Sequence, residues 1–175
     1  MLRKLILFHC IFLFSGCVSV PEGVTPVQDF DLQRYLGKWY EIARLDHSFE
    51  RGLSNVSAEY SLRDDGGVKV LNRGYSDSKE SWKEAVGKAF FVGEKNQGYL
   101  KVSFFSIFYG AYVVFELDQE GYQYSLVSGP DKSYLWVLSR TPNMEPEVYQ
   151  RLIAKASSLG YPTDKLILVE HNKQS

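Results

Sequence analysis

The stretch "YLGKWYEIARL", residues 35 to 45, decides the fold of this 175-residue chain. Gly37 and Trp39 stand two residues apart at its start, and from Lys38 onward short runs rich in Val, Tyr and Phe follow one another, mixed with polar residues. Turn-forming residues separate these runs at the spacing typical of an all-β sandwich or barrel. The stretch therefore begins a series of β-strands.

Eight strands are predicted, near residues 38 to 45, 55 to 63, 68 to 75, 81 to 92, 98 to 105, 111 to 117, 121 to 128 and 133 to 140. The links between them are short and tolerate tight or left-handed turns, as in "RDDGG" at 63 to 67. Sequential strands are therefore expected to pair as antiparallel neighbours. The first link, residues 46 to 54, is the longest of the early ones and can lie over one end of a barrel.

A single helix is predicted after the eighth strand, in "PEVYQRLIAKASSLGYP" at 146 to 162. Apolar residues recur there at three- and four-residue spacing, and Gly160 and Pro162 supply the stop. The apolar stripe is expected to pack on the outside of the sheet. The closing run from Leu166 to Glu170 is predicted as a ninth strand.

The amino-terminal segment has the pattern of a cleaved export signal. Arg3 and Lys4 precede an apolar run of ten residues, Leu5 to Phe14, whereas a membrane-spanning helix needs about 20. Ser15 and Gly16 then stand directly before Cys17, which resembles the bacterial lipobox. The resemblance implies cleavage before Cys17 and acylation of its thiol and its amino group. Residues 1–16 are thus a predicted lipoprotein signal peptide.

The segment that follows is predicted to be a lipidated tether, residues 17–30, because "VSVPEGVTPVQDF" carries prolines and small residues without strand or helix period. Val18 after the cysteine implies an outer-membrane address in the lipobox pattern. More than one acyl chain gives stable anchoring. The domain of residues 31–175 is then expected to be tethered to the bacterial outer membrane, facing the periplasm.

Charge and cysteine content exclude several classes of function. Loss of Arg3 and Lys4 with the signal leaves 18 basic against 21 acidic residues, so nucleic acid is not an expected partner. Cys17 is then the one remaining cysteine, which leaves none for a cysteine-rich zinc site, and His47 and His171 lack ligand spacing. No metal and no cofactor are predicted.

Two motifs together carry a family resemblance. "YLGKWYEIARL" resembles the Gly-x-Trp motif of lipocalins, and "YLWVLSRTP", which contains Arg140, resembles the motif at the end of their eighth strand. "WYEIARLDHSFERG" and "LKVSFFSIFYGAY" are similar specifically to bacterial outer-membrane lipocalins. The resemblance implies an all-β, eight-stranded antiparallel up-and-down β-barrel. A short helical turn would precede the barrel, and the carboxyl-terminal α-helix would pack outside it.

The resemblance also implies roles for particular residues. Trp39, positioned by Gly37, would plug the closed end of the barrel, and Arg140 would cover its indole. Strand alternation, combined with the family analogy, gives a set of candidate lipid-binding residues on the inner wall: Tyr60, Val70, Val102, Phe104, Tyr112, Val114 and Trp136. The same alternation places Glu41 and Glu116 inside. A tube with such a lining favours an acyl chain, so a fatty acid or lysophospholipid is the expected ligand.

Two other functions are weighed against lipid binding. An esterase is disfavoured, because the catalytic motifs G-x-S-x-G and H-E-x-x-H are absent from the sequence; the neighbours Asp46, His47 and Ser48 are its only candidate residues. The other alternative is an envelope interaction protein with a filled barrel, for which the aromatic segment at 104 to 112 would supply an exposed patch. The sequence leaves open a homodimer through this segment.

Overall fold

The computed structural model describes residues 18–105 and 107–173. The signal peptide and Cys17 lie outside the described residues. The eight predicted strands are confirmed, as β1 Gly37–Arg44, β2 Leu53–Leu62, β3 Val68–Ser76, β4 Ser81–Phe91, β5 Tyr99–Phe105, β6 Phe108–Leu117, β7 Tyr124–Ser128 and β8 Leu135–Ser139. Strand β7 begins three residues later than predicted, since Tyr122 has a φ of 53° in a turn.

The strands form one closed antiparallel barrel in which sequential strands are neighbours. Strand β1 closes it, because its first half pairs with β2 and its second half with β8. Tyr40, at the middle of β1, faces Ser57 on one side and Ser139 on the other. Each of the eight strands therefore has a neighbour on both sides, although among the described residues β4 pairs with β5 only from Lys88 to Phe91.

The register of the described strands shifts at four places, in β1, β2, β5 and β6, and two of these β-bulges place side chains differently from what alternation predicts. One lies in β1 between Glu41 and Ala43, and the other in β6 between Val114 and Glu116. A bulge adds an unpaired residue to one strand and so breaks the alternation of side chains. The prediction that Glu116 points inward is therefore wrong: it lies on the outer face, 3.8 Å from Arg151 of the carboxyl-terminal helix.

That helix, α2 Pro146–Ser158, packs on the outer face of the barrel as predicted. Leu152 and Ala156 are fully buried there, in an outer cluster that includes Val113, Leu126 and Val137 from the sheet. The predicted ninth strand is shorter than expected. Only β9 Ile167–Leu168 pairs, with the end of β1, after a 3₁₀ turn at Thr163–Lys165.

A short helix closes one end of the barrel, which we call the floor. Helix α1 Leu32–Tyr35 begins at Asp31, whose carboxylate accepts a hydrogen bond from Gln33 N at 2.8 Å. Its last carbonyl, that of Tyr35, accepts a 2.8 Å hydrogen bond from the Trp39 indole. Gly37 between them has a φ of +90°, a conformation that favours glycine.

Trp39 and Arg140 form the clasp predicted at the floor. The Trp39 side chain is fully buried, and the Arg140 guanidinium carbon lies 4.0 Å from its ring centre. Arg140 also donates hydrogen bonds to the carbonyls of Tyr122, Lys38 and Arg34, at 3.2, 3.0 and 2.6 Å. The clasp thus joins α1, β1 and the end of β8.

Residues 18–30, predicted as tether, lie along the outside of the barrel from the floor towards the opposite end. Phe30 is buried in the cluster of apolar side chains inside the barrel, around Trp39, Tyr60 and Val70, which we call the inner cluster. Its amide donates to Asn96 O at 2.9 Å. Val27 exchanges backbone hydrogen bonds with Val114 and Gly98 at 2.9 Å each. In the part of the chain that the structure describes, no helix is long and apolar enough to cross a membrane.

Candidate functional site

The end of the barrel opposite the floor is the mouth. Strand β1 runs from the floor to the mouth, so the links β1–β2, β3–β4, β5–β6 and β7–β8 all lie at the mouth. The β1–β2 link, residues 45 to 52, is the longest predicted early loop and folds over this opening, with Glu50 buried. The candidate site is the space between this loop and the floor.

All seven predicted lining residues belong to the inner cluster. Tyr60, Val70 and Val114 are buried within it. The other four are only half-buried although they face the barrel interior: Val102, Phe104, Tyr112 and Trp136. Partial exposure of these inward side chains means that solvent reaches part of the apolar inner wall.

The lower barrel contains a cluster of tyrosine hydroxyls. Tyr112 OH lies 2.8 Å from Tyr35 OH and 2.8 Å from Tyr60 OH, and Ser125 Oγ lies 3.4 Å from Tyr35 OH. Burial raises the pKa of Tyr35 to about 12 and those of Tyr60 and Tyr112 well above their usual value. These phenols stay neutral, so the cluster offers hydrogen bonds and no charge.

A small apolar cavity lies beside this cluster. Its volume is about 10 Å³, and it is lined by Phe30, Leu32, Tyr35, Tyr60, Val68, Val70, Ala89, Leu100, Val102 and Tyr112. Such a volume admits about one water molecule. This cavity alone therefore has no room for a lipid chain.

A charged cluster occupies the mouth end of the interior. Arg44, 2% exposed, donates to Glu41 Oε1 at 2.7 Å and to the carbonyl of Glu50 at 3.0 Å. The Trp136 indole donates to Glu50 Oε2 at 3.0 Å, which ties the loop to the wall. The prediction that Glu41 points inward is confirmed.

Burial shifts the protonation of both carboxyl groups. Burial, and then the charge of Glu50, raises the pKa of Glu41 well above its usual value, against the attraction of Arg44. Burial also raises the pKa of Glu50, against its hydrogen bond from Trp136 and the charge of Arg44. The cluster thus holds one cation beside two carboxyl groups that bind protons more firmly than exposed ones.

Asp46 and His47 of the β1–β2 loop do not form the acid–base pair of a catalytic triad. Asp46 accepts hydrogen bonds from Arg51, with Nε to Oδ2 at 2.9 Å, and its side chain points to solvent. His47 is stacked between Phe49 and Tyr134, at ring distances of 5.3 and 4.5 Å. Among the described residues, its Nε2 is buried without a hydrogen-bond partner. Neither the acid nor the base is placed to activate a nucleophile.

A larger cleft of about 440 Å³ lies on the outer wall, near the carboxyl-terminal residues. Its lining is polar and basic, and its cations already cover aromatic rings: Arg73 lies 4.2 Å from the Trp82 ring centre and Lys38 lies 4.8 Å from that of Tyr40. An acyl chain would gain little there. The inner wall remains the candidate site.

Sequence reasoning missed three members of the site. Arg44 was not expected inside, because the bulge in β1 shifts it to the inner face. Tyr35 and Glu50 lie outside the strands, so alternation could not place them. The sequence did carry one sign of a buried ion pair. Glu41 and Arg44 have opposite charges and stand three residues apart beside apolar residues.

Comparison with known proteins supports the motif resemblance. A family model described as "Lipocalin-like domain" matches residues 30–171. The chain is 58% identical over 169 residues to the outer membrane lipoprotein Blc of Vibrio cholerae, which covers 97% of this chain and 99% of that protein. It is 53% identical to the outer membrane lipoprotein Blc of Escherichia coli strain K12, over 91% of this chain and 90% of that protein.

The fold agrees as well. Insecticyanin from the tobacco hornworm Manduca sexta superimposes with a TM-score of 0.71 at 22% identity, over 89% of this chain and 88% of that one. The outer-membrane localisation predicted from the signal peptide and Cys17 is confirmed by relatives that are 53% to 58% identical to this chain and are named outer membrane lipoproteins. Closed barrel, floor clasp and sequence relatives lead to one conclusion: this chain belongs to the lipocalin family, among its bacterial outer membrane lipoproteins.

Proposed function

We propose that this lipocalin binds one fatty acid or lysophospholipid in the upper barrel and carries or stores it without chemical change. The observation that supports this most is the half-burial of Val102, Phe104 and Trp136, inward residues that remain open to solvent. An acyl chain would cover this apolar surface, at about 0.8 kcal/mol per methylene. Anchoring through acylated Cys17 places the barrel where such lipids are released.

The position of the head group follows from the polar residues at the mouth. An acyl chain in the apolar middle of the barrel leaves its head group beside Arg44, Glu41 and Glu50. A small cavity of about 10 Å³ lies below the chain end. Affinity should therefore rise with chain length and then level off when the chain meets Tyr60 and Tyr112.

Native mass spectrometry of the delipidated domain, with residues 1–17 removed and residues 18–30 kept, tests the proposal. Titration with lysophosphatidylethanolamine and with palmitate should give one lipid per barrel. Fluorescence of Trp136 should change on binding, whereas Trp39 is sealed under Arg140 and Trp82 lies outside under Arg73. Val102→Glu should weaken binding strongly, because it places a carboxylate in the apolar wall.

Val86→Glu is the matched control, since Val86 is a valine of the neighbouring strand that is 60% exposed on the outer wall. It should keep the affinity of the wild type. Saturating lipid with no bound species would favour the interaction protein with a filled barrel. Steady release of fatty acid that disappears in His47→Ala would favour an esterase, and equal weakening by both glutamates would place the lipid outside the barrel.

A further inference from the structure

Four large apolar side chains stand in solvent at the mouth, and we call them the rim patch: Phe49, Phe105, Ile107 and Phe108, which are 59%, 75%, 77% and 76% exposed. Phe49 belongs to the β1–β2 loop, Phe105 ends β5, Ile107 lies in the β5–β6 turn and Phe108 begins β6. The sequence had indicated exposed aromatics in this segment. Exposed apolar patches of this kind mark interaction surfaces.

The tether ends at the same end of the barrel. Ser19 Oγ donates to the carbonyl of Pro130 at 3.2 Å, and Tyr99 OH donates to the carbonyl of Val18. Pro130 belongs to the β7–β8 loop, which lies at the mouth. Cys17 is the residue before Val18, and consecutive Cα atoms are about 3.8 Å apart. Tyr99 begins β5 at the floor end, but its hydroxyl reaches a carbonyl one residue from Ser19. Cys17 therefore lies within about 8 Å of a residue bonded to a mouth loop, and the acyl chains leave the barrel wall near that loop.

We propose that the rim patch lies on the lipid surface to which Cys17 is anchored, so that the mouth opens onto the bilayer. The rim patch and the anchor share one end of the barrel, while the floor, with α1 and the Trp39–Arg140 clasp, faces away. A lipid can then pass between bilayer and barrel without crossing water. This inference rests on the anchor and ligand of the proposed function.

The first test locates both ends of the barrel relative to the lipid. The acylated full-length protein is reconstituted in vesicles of phosphatidylethanolamine and phosphatidylglycerol, with a bimane label on Ile107→Cys or, as a matched control, on Leu62→Cys. Leu62 is 52% exposed at the floor end of β2. Doxyl-labelled lipid should quench the label at 107 and leave the label at 62 bright.

Equal fluorescence at the two positions, or quenching at 62 alone, would overturn the orientation. Formation of a disulfide between two copies of unlabelled Ile107→Cys, in place of lipid quenching, would show that a second copy of this chain covers the rim patch. That result would overturn lipid docking and favour a homodimer.

The second test separates docking from ligand binding. The rim variant combines Phe105→Ser, Ile107→Ser and Phe108→Ser, and its control combines Leu62→Ser and Val86→Ser, which remove exposed apolar side chains elsewhere. Transfer of pyrene-labelled lysophosphatidylcholine from vesicles should slow on the order of tenfold in the rim variant only. Affinity for the same probe in solution should stay within about twofold of the wild type.

Unchanged transfer in the rim variant would contradict the docking, whatever the affinity. A wild type that binds no probe in solution would instead defeat the proposed function, and the positions of the two labels would still decide the orientation.

Discussion

The floor clasp depends on two side chains with different contributions. Trp39 fills the lower barrel, with no exposed surface and one hydrogen bond from its indole. Arg140 is partly exposed and covers that indole from the solvent side, while it donates to three carbonyls. Trp39 stabilises the fold mainly by packing. Arg140 stabilises it mainly by hydrogen bonds and by its cation–π contact with the indole.

Trp39→Ala should lower the free energy of unfolding by roughly 3 to 5 kcal/mol, because it leaves a cavity in the core. Arg140→Ala should cost less, about 2 kcal/mol, since water can replace part of its hydrogen bonds. Denaturant unfolding of the two variants checks this order. A Trp39→Ala curve that overlays the wild type would contradict the plug.

Protonation of the mouth cluster predicts a dependence of stability on pH. The raised pKa of Glu50 means that, above its usual value of 4.5, the folded chain holds the proton more firmly than the unfolded chain. The stability of the wild type relative to Glu50→Gln should therefore fall as pH rises from about 4.5 through the raised pKa. Glu41, whose pKa is raised partly by Glu50, should act in the same direction.

Denaturant midpoints of both proteins across this pH range give the measurement. The midpoint of the wild type is compared with that of Glu50→Gln because His47 also titrates. Burial lowers the pKa of His47, so the wild type loses stability as pH falls through the range below 6.5. That contribution is common to both proteins and cancels. Parallel curves for the two proteins would show that Glu50 titrates as an exposed carboxyl.

At the scale of the elements, the strands and α2 could be predicted and the bulges could not. Runs rich in β-branched and aromatic residues, with turn residues between them, specify where a strand lies. A bulge depends instead on how two strands pair, so alternation placed Glu116 inside and gave no reason to place Arg44 there. The seven proposed lining residues lie in or against the inner cluster, although the register of β5 also shifts between Val102 and Phe105, on either side of Phe104.

Strands β4 and β5 approach closely at a glycine, which gives a prediction for the wall. A Cβ added at Gly87 would lie 2.8 Å from the Phe104 ring and 2.9 Å from the Ser103 carbonyl. Gly87→Ala should therefore cost about 1 to 3 kcal/mol and push Phe104 towards the lumen, weakening lipid binding. Thermal unfolding and lipid titration measure the two effects.

Gly110 in β6 supplies the control, because nothing lies within 4 Å of a Cβ placed there. Gly110→Ala should change the free energy of unfolding by no more than about 0.5 kcal/mol. Identical behaviour of the two alanine variants would mean that the close contact at Gly87 relaxes without cost.

At the scale of the whole molecule, the sequence predicted a domain and a tether, and the structure joins them more closely. Val24 and Phe30 are buried. The Val27 amide donates to the Val114 carbonyl of β6, and the Val27 carbonyl accepts from the Gly98 amide just before β5. Composition alone could not reveal this, since prolines and small residues are typical both of free linkers and of segments that lie along a surface. Part of the predicted tether is therefore packed as part of the folded domain.

Removal of the anchor should change location without changing the fold. Cys17→Ser should abolish labelling by radioactive palmitate and leave an uncleaved or soluble periplasmic form, because the thiol that carries the acyl chain is gone. Fractionation of cells that express the variant, with the wild type in parallel, gives the measurement. Palmitate labelling and outer-membrane recovery of the variant would refute the assignment of Cys17.

The acceptors of the floor clasp bear on how this protein can change over evolutionary time. Arg140 donates to the carbonyls of Arg34, Lys38 and Tyr122, and a peptide carbonyl is present whatever side chain its position carries. The side chains of Arg34 and Lys38 are exposed and can change while the clasp keeps these partners, whereas Tyr122 is buried in the core. A clasp secured in this way keeps its backbone partners when those exposed side chains change, so the shape of the floor does not depend on their identity.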